Sequence, residues 1–93
     1  MRADVFISQT ESGGVVISVV KHSLSSGAAR KYDTSQKARE VLLAFRIDLE
    51  AVDRQLEILS RTPPSVLVRF PTIEIPDDVL GSLGFKAAAF MAA

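Results

Sequence analysis

Residues 3–21 read ADVFISQTESGGVVISVVK, and the fold turns on this stretch. Ala3 to Ser8 alternates in polarity, so an extended chain would carry Val5 and Ile7 on the same side. Val15 to Lys21 is a β-branched run that is apolar on both faces except at Ser18, the pattern of a central strand. Between them Glu11-Ser12-Gly13-Gly14 supplies the glycines that a tight reversal with positive φ requires. The segment therefore predicts a β-hairpin, and everything else must pack against it.

Downstream, Ser23 to Lys31 reads as a loop of Ser, Gly and Ala ending in Arg30-Lys31. Asp33-Thr34-Ser35-Gln36 sets a capping carboxylate three residues before a glutamine, with Thr34 the alternative cap. Ala38, Val41, Leu42 and Phe45 then fall at i, i+3, i+4 and i+7, which predicts an amphipathic helix stopping near Phe45. Asp48 caps a second helix with apolar positions Leu49, Val52, Leu56 and Leu59, ended by Pro63-Pro64. Val66 to Phe70 predicts a third strand with Val66, Val68 and Phe70 on one face. Pro71 cannot donate to a ladder, so that strand lies at an edge or carries a bulge, and Ile73 and Ile75 continue the alternation beyond it. Pro76-Asp77-Asp78 starts a short helix over Val79, Leu80 and Leu83, closed by Gly84.

The predicted order is β-β-α-α-β-α, an α+β class with a mainly antiparallel three-stranded sheet covered on one face by a helical hairpin. At 93 residues the chain suits a single domain, drawn at 1–86 with an apolar C-terminal tail at 87–93. A hydrophobic fraction of 47% is high for so small a domain and predicts a leftover apolar surface, hence a protein partner or a homodimer.

The chain has no cysteine, which excludes disulfides, thiol nucleophiles and thiolate metal sites, and His22 is its one histidine. Met1 to Ser8 lacks the basic start and long apolar run of a secretory signal. No apolar run approaches the ~20 residues of a bilayer span. A cytoplasmic protein of bacterial style is expected, with no membrane contact, cofactor or metal.

Charge is balanced overall but unevenly placed. Residues 1–39 hold six basic groups against three acids, and residues 40–93 hold five against eight. The basic half offers a candidate anion or nucleic-acid patch of Lys21, Arg30, Lys31, Lys37 and Arg39, with Tyr32 a lone stacking platform. The segment Lys37 to Leu59 resembles a helix-turn-helix motif through Leu42, Phe45, Ile47 and Val52, which would send the second helix into a DNA groove. Arg46 stands where that motif commonly has glycine, and Glu50, Asp53 and Glu57 would face phosphates. A helical hairpin packed on the sheet is the plainer expectation.

For catalysis, nothing in the spacing assembles His22 with a serine and an orienting carboxylate, and Asp77-Asp78 reads as helix capping, so no enzyme is expected. The expectation is a non-catalytic protein–protein interaction or regulatory module. Its candidate surface is Val66, Val68, Phe70, Ile73, Phe85, Phe90 and Met91. The alternative is a nucleic-acid-binding domain using the basic 21–39 segment.

Overall fold

The computed structural model describes residues 1–22 and 27–85. Two long strands, β1 (Arg2–Gln9) and β2 (Val15–Lys21), form the hairpin with pairs running from Gln9–Val15 to Ala3–Lys21. Its reversal is a three-residue loop. Thr10 and Gly14 close it, the Gly13 amide donates to the Thr10 carbonyl at 3.1 Å, and Gly13 takes φ +90°. That left-handed last position is the one glycine fills in such hairpins.

The next element departs from expectation. Gly27–Tyr32, the greater part of what reads as a loop, is a third strand, β3, paired with β2 from Val20–Gly27 to Val15–Tyr32. The sequence GAARKY carries little strand propensity of its own. Pairing is imposed by β2, whose second row of backbone donors and acceptors needs partners once both its faces are apolar.

The helical hairpin follows as α1 (Ser35–Ala44) and α2 (Leu49–Ser60). The cap of α1 is Thr34, whose hydroxyl accepts from the Lys37 amide at 3.2 Å, and not Asp33. Ala38, Val41, Leu42 and Phe45 are buried as their spacing predicts. Asp48 caps α2 by accepting from the Ala51 amide. Of the α2 stripe, Val52 and Leu59 are buried and Leu56 partly so, while Leu49 in the first turn stays 50% exposed; the buried residue at that junction is Ile47. Between the helices Arg46 adopts φ +66°, the left-handed turn conformation for which the helix-turn-helix pattern commonly uses glycine. Leu42, Phe45, Ile47 and Val52 all serve this chain's own core.

The chain then returns to the sheet as β4 (Val68–Arg69) and β5 (Ile73–Glu74), both antiparallel to β1. The order is β3-β2-β1-β4 with β5 also on β1, a five-stranded antiparallel sheet. The last helix, α3 (Asp77–Ser82), ends with the Phe85 amide on the Leu80 carbonyl at 2.9 Å and the Gly84 amide on the Gly81 carbonyl at 3.1 Å. Gly84 stands at φ +84°, so this is a Schellman closure. No described helix is long and apolar enough to cross a membrane. The fold class is α+β, with the helical hairpin on the sheet.

Val68, Phe70 and Ile75 are buried and Ile73 half-buried, so the buried positions change from even to odd numbers across Pro71-Thr72. The ladder shows why. Phe6 pairs with Arg69 but Ala3 with Ile73, so Asp4 and Val5 face three residues, Phe70 to Thr72. This is a β-bulge. Pro71 sits in it, where no amide is needed, and the extra residue keeps both short strands facing the core.

Candidate functional site

Strand pairing sorts the sheet into two faces. Ala3, Val5 and Ile7 of β1 and Val15, Ile17 and Val19 of β2 point into the core that the helices close. Phe45 and Phe85 meet there edge to face, 5.5 Å between ring centres. The alternate positions point the other way: Asp4, Phe6 and Ser8; Val16, Ser18 and Val20; Ala29 and Lys31; and Arg69. Among the described residues nothing covers this second face. Its centre is apolar, with Phe6, Val16 and Val20 partly buried and Ser8 buried, and beside it Leu67 is 58% and Val66 48% exposed.

One margin of the open face is a polar cluster built on the bulge. Asp4, opposite the extra residue, has a carboxylate only 15% exposed. Its Oδ1 accepts from the Thr72 hydroxyl at 2.5 Å and from Arg69 Nη2 at 3.2 Å. Its Oδ2 lies 3.2 Å from His22 Nδ1. The Thr72 hydroxyl first, then His22, then Arg69, hold the Asp4 carboxyl below its ordinary value. The Arg69 guanidinium also stands 5.9 Å from the Phe6 ring centre. The cluster ties β1, the end of β2, β4 and the bulge together.

Among the described residues, two clefts stand out on the helix side. One, of about 340 Å³, opens between the hairpin turn, α1 and α2, among Gln9, Ser35, Arg39, Asp53, Glu57 and Ser60. Arg39 Nε donates to Asp53 Oδ1 at 2.8 Å, raising the arginine and lowering the carboxyl relative to their ordinary values. Gln9 Nε2 donates to the Leu59 and Thr62 carbonyls at the end of α2. The other cleft, of about 350 Å³, lies among Ala51, Arg54, Gln55, Arg69, Phe70 and Pro71. Neither cleft is lined by His22, and among the described residues no three His, Cys, Asp or Glu side chains gather as for a metal.

The structure scatters the basic patch of the sequence. Arg30 and Lys31 are neighbours on β3 and so point to opposite faces of the sheet. Arg30 donates to the Leu83 carbonyl at 2.8 Å and stands 5.9 Å from the Tyr32 ring centre. Arg39 is taken by Asp53, Lys37 lies on α1, and Lys21 ends β2.

The apolar surface suggested by the sequence changes more. Val68, Phe70 and Phe85 are buried core residues with no side chain to offer a partner, because pairing with the core-facing residues of β1 and the Schellman closure turn them inward. Val66 stays exposed and Ile73 half exposed, while Phe90 and Met91 lie outside the described residues. Sequence reasoning missed Asp4, Arg69 and Thr72. The one sequence signal for them was the parity change at Pro71-Thr72, which places a bulge opposite Asp4. Compared with known proteins, the chain matches no family model, no curated protein and no solved structure.

Proposed function

We propose that this chain is a non-catalytic interaction module that works in the cytoplasm by self-association. The observation that carries the reading is the sheet face that no described element covers, with Phe6, Val16 and Val20 at its centre. An antiparallel sheet with one solvated face usually alternates apolar inside with polar outside. Here the outward positions at the centre of both hairpin strands are apolar or hydroxyl-bearing, and the charges Asp4, Lys31 and Arg69 stand around them. That is an apolar patch with a polar rim, the anatomy of a protein interface. A second copy is the fitting partner because formal net charge is zero, so two copies meet without long-range repulsion.

The competing nucleic-acid reading draws less support, since Arg30 and Arg39 already have partners and the other cations stand on separate elements. It predicts binding that weakens steeply with salt. The direct test of self-association is sedimentation equilibrium from low micromolar to near-millimolar protein. A mass rising toward twice the monomer is expected, and a monomer throughout rejects the reading.

A further inference from the structure

We propose that two copies join edge to edge through β3, antiparallel about a two-fold axis at Ala29, so that two five-stranded sheets continue as one. This rests on the self-association reading and adds a second surface to it, the strand edge, which would set the two apolar faces side by side on one joined sheet.

The two edges of the sheet are not alike. On one, β4 and β5 are two residues each, a bulge separates them, and Pro71 has no amide to give. The Arg69 carbonyl is also already occupied, accepting from Gln55 Nε2 at 2.8 Å. Proline, a bulge and short strands are the devices by which sheet edges avoid pairing. On the other edge, β3 runs six residues in unbroken register with β2, without proline or bulge. Among the described residues nothing hydrogen-bonds to its outer backbone row. Arg30, which could guard that edge, is drawn back onto the Leu83 carbonyl.

Geometry then selects the register. A two-fold axis perpendicular to the sheet keeps each face on its own side, so directly opposed residues must share parity and the axis must pass a residue. Centring on Arg30 or Lys31 would set that cation against its own copy, which is unfavourable. Centring on Ala28 leaves only Gly27 to Ala29 of the described strand in the new ladder. Centring on Ala29 pairs Ala29 with the partner's Ala29, Arg30 with the partner's Ala28, and Lys31 with the partner's Gly27. No charge then meets its like. The cations remain near one another across the seam, so salt should strengthen association, opposite to its effect on nucleic-acid binding.

The chain has no cysteine, so single-cysteine variants report cleanly. Opposed Cα atoms in an antiparallel pair lie about 4.5–5.5 Å apart, within disulfide reach. Ala29 is exposed, and Ala29→Cys should therefore give a covalent dimer under mild oxidation. Lys31→Cys should not, because its copies stand about four residues apart along the seam, roughly 14 Å. Ser18→Cys, on the open face, reports face-to-face packing instead. Cross-linking at Ser18→Cys but not Ala29→Cys overturns the β3 edge while leaving self-association standing. A sedimenting dimer that cross-links at neither position does the same. A monomer throughout overturns both. In the unmodified chain, alternate amides of Gly27 to Lys31 should exchange more slowly at high protein concentration, and concentration-independent exchange rejects the edge.

Discussion

Gly84→Ala and Gly81→Ala, the same change three residues apart, should move stability in opposite directions. Gly84 is at φ +84°, where an L side chain costs about 1–2 kcal/mol. A Cβ there also collides with the Arg30 guanidinium, which must leave the Leu83 carbonyl it donates to at 2.8 Å. Losing that exposed, charge-assisted bond adds about 0.5–1.5 kcal/mol. Ala restricts the unfolded chain and returns about 0.4–1 kcal/mol. The net expectation is a loss of about 1–2 kcal/mol, and each kcal/mol lowers Tm by about 4–8 °C in a domain of this size. Gly81 lies exposed within α3 with open space around its Cα, so alanine should gain about 0.5–1 kcal/mol. Urea unfolding followed by far-UV circular dichroism measures both. Arg30→Ala should cost less in the Gly84→Ala background than alone, because the contact is already gone. A neutral or stabilising Gly84→Ala, or both glycines shifting the same way, would refute the reasoning.

Arg46 sits at φ +66° and among the described residues its side chain makes no hydrogen bond or ion pair, so Arg46→Gly should stabilise by about 0.5–1 kcal/mol in the same assay; a loss would mean its side chain does more than fill the turn. Among the described residues the buried Tyr32 hydroxyl has no hydrogen-bond partner, and Tyr32→Phe should raise stability by about 1 kcal/mol. A drop of that size would reveal a partner for the hydroxyl. Asp4 is held below its ordinary 3.8, so its contribution is complete above that pH and fades as pH falls through the lower folded value. Asp4→Asn should lower Tm at neutral pH, and the gap to the unmodified chain should close below pH 3.8; a gap independent of pH refutes the Asp4 cluster as its cause.

Much of the fold is legible without coordinates because it rests on chemistry within a few residues. The alternation of Ala3 to Ser8, the glycines of the turn and the β-branched run of β2 specify the hairpin locally. The apolar spacing from Ala38 to Phe45, and the Asp48 cap with Val52 and Leu59, do the same for the helices. Gly84 announces the end of α3, since few other residues enter the left-handed region cheaply. The bulge is legible too, in the change of parity across Pro71-Thr72, though only its partner strand shows that Asp4 stands opposite it.

The surface was not legible in the same way. Gly27 to Tyr32 has no strand pattern, because what makes it β3 is the unsatisfied row of β2, a strand encoded earlier in the chain. Phe70 and Phe85 looked like surface anchors because sequence records hydrophobicity, and only packing decides whether a hydrophobic residue faces the core or a partner. Arg30 looked like part of a basic patch until α3 brought the Leu83 carbonyl to it from 53 positions along the chain. Local periodicity and turn chemistry act over three or four residues, and the sequence by itself determined what they specify: a hairpin, two amphipathic helices and their boundaries. Which edge stays open, which face stays bare and which charges remain free are relations between distant segments, and only the tertiary structure decided those.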